Sequence, residues 1–510
     1  MPDGRGFHTV IVGGGTAGCV LANRLSARRD RSVALIEAGP DFGPADGADW
    51  PPELASAAFV PTSYEWGDLA DAAGYSIPYA RGKVIGGSSA INAAGIKWGL
   101  RQDYDRWEAE GNTGWGFDAL LPCFQRVERL EDDDPPLRGR AGMLVVQRMR
   151  SDSPFLADLG RSFAAAGLEA VRDVSGPDTF EGFGAPTRNA RAGKRFHAAA
   201  AYLDPVRDRP NLTILDRTLV DSVRWERGRA LGLHLVSGAD RWFVEAERIV
   251  LSAGAIGSPL ILQRSGIGPP DLLRGVLGNQ VDLHPLPGVG SNLQDHYGAR
   301  TFFRVATDFY DRLGQAGPAT NILVHARLKS SADLPTFDLD VLTGHMTVRP
   351  TVADLARVTC IVNHIQPEAR GSVAIRSADP AAPPVIETGF GGSQDVEAIA
   401  RGLEWVRDRM HDDRVASWLD GEVAPGAEAQ GAALRDWVRA SLASYHHPVG
   451  TCRFGPSADP LAVVDGRGLV HGFDNLYVAD ASIMPTVPHT QINLTVYAIG
   501  EKIGEGLAES

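Results

Sequence analysis

Cysteine is scarce in this sequence: Cys19, Cys123, Cys360 and Cys452 are scattered, and no two form a CxxC pair. Zinc ribbons and disulfide frameworks need cysteines at short, repeated spacings, so neither is suggested, no metal site is expected, and a reducing cytoplasm fits best. Basic charge is also short. The 50 Lys and Arg stand against 63 Asp and Glu, a net charge of -13 that argues against nucleic-acid binding and against adhesion to acidic membranes. No apolar run approaches the roughly 18 residues of a membrane-spanning helix. The opening MPDGRGFHTVIVGGG has no apolar stretch of secretory length, because glycines break its first apolar run, so a soluble, cytoplasmic protein is expected. Small-molecule chemistry remains. With 44% hydrophobic and 22% charged residues the composition is globular, and 510 residues call for two large units rather than one core.

Along the chain, HTVIV at 8 to 12 predicts a buried strand, GGGTAG a turn into a helix through TAGCVLANRLSARR, and SVALI at 32 to 36 a second strand ending in Glu37. RIVLSAGAIGSP at 248 to 259 and NLYVADASIMP at 475 to 485 predict two more strands of the same kind, far apart in sequence. Between 300 and 380, FDLDVL, RVTCIVNHI and GSVAIRS alternate with the period of a half-exposed antiparallel sheet, and DVEAIARGLEWVRDRM follows with helical spacing. The expected fold is α/β: a discontinuous Rossmann-like domain of residues 1–150, 205–298 and 445–510, interrupted by an α+β substrate domain of residues 151–204 and 299–444 that carries the antiparallel sheet. DDDPP at 132 to 136 is expected to be an exposed turn.

Gly13, Gly15 and Gly18 form G-x-G-x-x-G between a predicted strand and a predicted helix, and Glu37 follows Gly18 by 19 residues. Gly13 permits the tight turn, Gly15 lets the backbone approach a pyrophosphate, Gly18 lets helix and strand pack closely, and Glu37 can bind ribose hydroxyls. The helix N-terminus adds a favourable dipole for phosphate. This predicts a dinucleotide without choosing between FAD and NAD.

Five further stretches bear on that choice: ARGKVIGGSSAIN at 80 to 92, GAIGSPLILQRSGIG at 254 to 268, GVGSNLQDH at 288 to 296, HPVGTCRFG at 447 to 455 and VADASIMPTVP at 478 to 488. In order and spacing they resemble the signatures of the glucose-methanol-choline (GMC) oxidoreductases. The resemblance implies a flavoenzyme that passes hydride from an alcohol carbon to N5 of FAD. It implies FAD contacts from Gly13, Gly15, Thr16, Ala17, Gly18, Glu37 and Ala38 in the first loop and from Arg81, Val84, Gly86, Gly87, Ser88 and Asn92 in the second. Val220, Ala253, Gly254, Asp480, Ala481, Gln491 and Ile492 complete the set, Val220 against the adenine and Asn92 near the flavin ring. The stretch Gly86 to Ser89 is flexible and donor-rich, suited to presenting backbone amides to the flavin and its diphosphate. Some relatives attach FAD through a histidine where this chain has Ile91, so dissociable FAD is expected.

In LASYHHPVGTCR, residues 442 to 453, His446 and His447 are adjacent. Strand neighbours face opposite sides, and Pro448 extends its predecessor, so at most one ring is expected to reach a shared site. The resemblance selects His447, before the proline, as the general base that takes the hydroxyl proton, and leaves His446 structural. Relatives place a second histidine or asparagine about forty residues later. Gapless counting puts Gln491 there, with His489 and Asn493 close enough for a local shift to substitute either. His345, Asn363 and His364 are polar residues in predicted strands of the middle region, where the substrate pocket is expected. A chain shorter than many relatives suggests a trimmed lid and a bulky alcohol such as a sugar, glycoside or aryl alcohol, with O2 or a diffusible or protein electron acceptor. The alternative is a hydroxynitrile lyase-type reaction with the same base. A pyridine-nucleotide disulfide or quinone reductase would need a second glycine triad and commonly a CxxC pair; neither is present.

Overall fold

The computed structural model describes residues 6–57, 60–131, 137–149, 152–178, 180–314, 322–345 and 357–509. The turn expected at 132 to 136 lies outside the described residues. Strand Phe7–Val12 and strand Val33–Ile36 pair in parallel, and Leu212–Leu215 extends the sheet beyond Val33–Ile36. On the other side, the second half of Asp240–Leu251 runs parallel to Phe7–Val12 and carries Leu476–Val478 on its far edge. The apolar strands at the centre are buried, as parallel strands covered on both faces must be. The first half of Asp240–Leu251 turns to antiparallel pairing with Arg229–Ser237, which pairs in turn with Leu219–Glu226, completing a seven-stranded sheet. Helices Thr16–Leu25 and Asn493–Glu509 pack together on it, with Gly500 admitting Val20 and Ala17. The carboxyl ends of these parallel strands, where an open α/β sheet binds its ligand, deliver Gly13, Glu37, Ser252 and Ala479 to one edge.

A second seven-stranded sheet is antiparallel, in the order Leu419–Ala424, Tyr297–Val305, Arg357–His364, Leu339–His345, Ile322–Leu328 and Gly182–Gly184, with Ala443–Ser444 paired to the start of Tyr297–Val305. The expectation of a half-exposed sheet is corrected here. Leu339–His345 and Arg357–His364 are buried at nearly every position. Helix Ser393–Met410 covers the face carrying Val341, Cys360 and Val362, while the alternate face, with Leu342, Ile361 and Asn363, borders an internal cavity rather than bulk solvent. Alternation reports two faces, and the second face here borders an internal cavity that mixes apolar Leu342 and Ile361 with polar Arg300 and Asn363. The GSVAIRS segment also belongs elsewhere: Ser372–Ala374 joins Val385–Glu387, Leu69–Ala72 and Tyr75–Pro78 in a four-stranded sheet. That sheet draws strands from both of the units expected from sequence. Among the described residues no helix is long and apolar enough to cross a membrane.

Candidate active site

A cavity of about 1040 Å³ runs from the strand ends of the first sheet to the inner face of the second. At its nucleotide end the wall is main chain. Gly13 takes φ +100°, and a side chain at Gly18 would collide with the Gly13 carbonyl, so the turn and the close strand–helix contact both need glycine. The amides of Gly15 and Thr16, at the start of helix Thr16–Leu25, make no hydrogen bond to the described protein and face the cavity. The side-chain amide Nδ2 of Asn493 is buried without a partner, while its Oδ1 accepts from Thr16 Oγ1 at 3.0 Å. Open donors at a helix N-terminus are what a diphosphate requires. The second glycine loop closes on the first: a Cβ at Gly87 would stand 2.6 Å from the Gly15 Cα. Two of the amides expected to serve the cofactor from this loop are used internally, Gly86 N–H by the Gly14 carbonyl and Gly87 N–H by the Val84 carbonyl, both at 2.7 Å, while the amide of cavity-lining Ser88 makes no hydrogen bond to the described protein. These glycines act by permitting approach. This geometry fits FAD.

Glu37 and Asp480 close the same end. Glu37 accepts from Gly14 N–H and Gly39 N–H, each at 2.8 Å; burial pushes its pKa up to about 7 against those amides. Asp480 accepts from Ser258 Oγ at 2.5 Å, Gly254 N–H at 2.9 Å and Ser482 N–H at 2.8 Å, tying the end of Leu476–Val478 to the start of helix Gly254–Arg264. Burial raises its pKa as well.

At the other end, Asp295 pins the segment that carries the paired histidines. Its carboxylate accepts from Tyr79 Oη at 2.8 Å, Ser444 Oγ at 2.5 Å and the His447 amide at 2.7 Å. The His447 Nδ1 lies 2.9 Å from the Nδ1 of buried His296, and its Nε2 makes no hydrogen bond to the described protein. When His447 Nδ1–H donates to His296, Nε2 keeps its lone pair toward the cavity, which is the tautomer of a base. Burial first, then the neighbouring His296 and His446, hold the His447 pKa well below its ordinary value, so the ring is neutral at neutral pH. The expectation that only one ring reaches the site is corrected: both histidines line the cavity. The strand ends at Ser444, and His446 adopts φ +63°, so strand alternation no longer applies; its Nδ1 lies 3.4 Å from an Arg81 guanidinium nitrogen.

Next to His447, the Tyr445 ring is 4.4 Å away, and its hydroxyl accepts from Gln491 Nε2 at 3.0 Å and reaches Asp340 at 3.4 Å. Asp340 lies in a buried group with Lys97 and His325: Lys97 Nζ is 2.9 Å from both an Asp340 oxygen and His325 Nε2, and His325 Nε2 also contacts the carboxylate. Burial lowers the Lys97 pKa to about 8 against the pull of Asp340. Asp295 and His296 sit in the GVGSNLQDH stretch and were open to detection there. Lys97, His325 and Asp340 carry no comparable motif, since Lys97 matters only through partners distant in sequence.

Of the residues expected at the cofactor, Gly13, Gly15, Thr16, Ala17, Glu37, Ala38, Arg81, Gly87, Ser88, Asn92, Val220, Ala253, Gly254, Asp480, Ala481, Gln491 and Ile492 all line the cavity, as does Ile91. Gly18, Val84 and Gly86 stand behind this wall, Val84 in a small apolar cluster with Trp50 and Leu54. His447, Gln491 and Asn493 reach the cavity, but His489 does not; its backbone and ring are bound to Asp103. Of His345, Asn363 and His364, only Asn363 lines it. His345 meets Tyr310 Oη at 2.9 Å, and His364 lies between Asp395 and Asp338.

Models of the N- and C-terminal parts of the GMC oxidoreductases match residues 7–298 and 367–500. An oxygen-dependent choline dehydrogenase of Sinorhizobium fredii is 32% identical over 97% of this chain and 94% of its own length. A 5-(hydroxymethyl)furfural oxidase of Methylovorus sp. is 34% identical over 98% of each chain. Among solved structures, pyridoxine 4-oxidase from Mesorbium loti superposes with a TM-score of 0.88 at 33% identity, covering 99% of each chain.

Proposed function

The chain belongs to the GMC oxidoreductase family, and from that premise we propose that it oxidises a bulky alcohol to the corresponding carbonyl, with His447 as the sole base. The cofactor is FAD, which supplies the acceptor for the hydride when bound. The O–H proton goes to His447 Nε2, the carbinol C–H leaves as hydride, and the carbon–oxygen double bond forms, so atoms and electrons balance. Residues 1–150, 205–298 and 445–510 hold the cofactor, and 151–204 and 299–444 cover the substrate. Arg81, Asn92 and Gln491 stand at the flavin side, and Asn493, beside Thr16, faces the phosphates. Ile91 offers no nucleophile at the attachment position, which supports non-covalent FAD.

The observation that carries this proposal is the cavity-facing Nε2 of His447, left open while Nδ1 and the backbone amide are fixed by His296 and Asp295. Apolar Leu323, Leu342 and Ile361 on the opposite wall support an arylmethyl alcohol over a sugar, as do the names of the furfural and pyridoxine oxidases. The test is an anaerobic panel of benzylic alcohols, sugars, glycosides and choline read by flavin bleaching, repeated in air with peroxide detection to separate O2 from another acceptor. Benzylic alcohols should bleach best. A panel that leaves the flavin oxidised while a cyanohydrin is cleaved would replace oxidation with the lyase reaction. Acid precipitation should release all flavin into the supernatant as FAD.

A further inference from the structure

We propose that the substrate carries a carboxylate and that Arg300 is the residue that anchors it; this deepens the alcohol-oxidation proposal and rests on it. Arg300 stands in strand Tyr297–Val305 directly opposite Ile361, on the sheet face that also presents Gly298, Asn363 and Leu342 to the cavity. Several enclosed arginines are ion-paired, Arg138 with Glu128 and Asp173, Arg207 with Asp41 and Asp204, Arg407 with Glu422, while Arg195 and Arg327 are held by backbone carbonyls. Arg300 is an exposed residue that lines the cavity, and among the described residues it has no ion pair and no hydrogen bond. It lies close enough to Tyr445 and His446, the two residues before His447, to bear on their ionisation.

Two further observations point the same way. Asn363 is a diagonal neighbour of Arg300 across the strand pair, and its Nδ2 is a buried donor with no partner. A guanidinium fork with a second N–H donor matches the two oxygens of a carboxylate. The carboxylates that line the cavity are engaged or distant: Glu37 and Asp480 belong to the nucleotide end, Asp379 accepts from Ala381 N–H on the side of Arg264, and Glu65 and Asp68 lie around Arg81; Asp340, behind the wall, is held by Lys97 and His325. A quaternary ammonium alcohol needs an aromatic cage or a carboxylate. The aromatic lining here, outside the histidines, is Trp66 and Tyr445, and Arg300 repels a cation. The site therefore discriminates against choline despite the choline dehydrogenases among the relatives.

The FAD-loaded protein would be assayed with 4-(hydroxymethyl)benzoate, uncharged 4-methylbenzyl alcohol and choline. Separately, benzoate and benzamide would be titrated and read by perturbation of the flavin spectrum, which needs no turnover. The carboxylate alcohol should exceed the uncharged one in kcat/KM, and benzoate should bind more tightly than benzamide. Arg300→Gln should reduce both ratios by about 10- to 100-fold, the worth of a charge-assisted pair, and Arg300→Lys should retain part of each. FAD content per chain checks folding, and the wild-type ratios with Arg300→Lys decide the matter if Arg300→Gln does not fold. Benzoate binding no tighter than benzamide, or ratios that Arg300→Gln leaves unchanged, would overturn the anchor while uncharged alcohols could still bleach the flavin. Conversely, Arg300-dependent benzoate binding without bleaching by any alcohol would keep the anchor and reject alcohol oxidation.

Discussion

One cavity has two ends built in different ways. The nucleotide end is shaped by main chain: open amides at Gly15 and Thr16, and two glycine loops that touch at Gly15 and Gly87. The substrate end is shaped by side chains that converge from the antiparallel sheet and from the segment 443 to 447, held by Asp295, His296 and Asp340. A backbone wall depends on the absence of side chains, so it constrains every substitution and writes itself into the sequence as glycines. A side-chain wall depends on partners brought together by folding, and it can change its ligand one residue at a time.

The largest expected effect lies at the substrate end. His447→Ala should retain FAD and fold but lower the anaerobic rate of flavin reduction by about 10² to 10⁴, the worth of a positioned general base. His446→Ala should cost much less, although both rings reach the cavity. Stopped-flow traces at the flavin band decide between them, and a greater loss in His446→Ala would reverse the assignment. Because burial and the flanking histidines hold His447 neutral, the wild-type rate should stay level as pH falls through 6.5. An acid limb at that pH would show a solvated, ordinary histidine.

The difference between the two ends also explains what was legible beforehand. The glycine triad, Glu37 and the parallel strands could be read from local pattern alone, because each does its work within one βαβ unit. His447 was legible through its proline and its family signature. His446 was misjudged because a left-handed residue replaced the extended strand that alternation assumes. The second face of the antiparallel sheet reads as solvent-facing, since a sequence does not distinguish bulk water from an internal cavity. Lys97 and Arg300 carry no signal in the sequence; only the fold brings Lys97 within reach of His325 and Asp340, more than two hundred residues away.

A second effect would show how the sheet behind the substrate end is held. Burial opposes charge on His364, but hydrogen bonds to Asp338 and Asp395 overcome it and push its pKa up to about 9. A folded-state pKa above the unfolded value near 6.5 gives stability that is complete below pH 6.5 and is lost as pH rises through about 9. The loss is on the order of 3 kcal/mol. Thermal unfolding from pH 6 to 10 should show it, and His364→Gln should flatten that part of the curve. An unchanged slope would mean that the carboxylates do not hold a charged histidine.

A smaller effect is expected where the two glycine loops meet. Gly87→Ala places a Cβ 2.6 Å from the Gly15 Cα in a residue at φ +54°, and overpacking of this kind costs about 1 to 3 kcal/mol. Because the strain falls on the wall that receives the diphosphate, FAD affinity should drop by about 10- to 100-fold, while hydride transfer in the molecules that keep FAD stays close to wild type. Flavin content after dilution, compared with single-turnover rates, separates the two. A variant with full flavin and slow chemistry would mean that this loop belongs to the substrate end.

The smallest effect tests where the boundary between the ends falls, through Gln491, Asn493 and His489. Gln491 donates to Tyr445, whose ring packs on His447, so Gln491→Ala removes one hydrogen bond next to the base. Such a bond is worth about 0.5 to 1.5 kcal/mol, which predicts a loss of roughly two- to tenfold in flavin-reduction rate with FAD retained. Asn493 touches Thr16 at the head of the first helix, so Asn493→Ala should weaken FAD binding instead. His489 is turned to Asp103, which also caps the helix Arg101–Ala109 by accepting from Leu100 N–H; His489→Ala should lower stability without changing the reduction rate per bound flavin. Measured together, rate, flavin content and Tm sort the three residues onto three different readouts. If His489→Ala slows flavin reduction more than Gln491→Ala does, His489 reaches the reacting hydroxyl after all, and His447 is not the sole base.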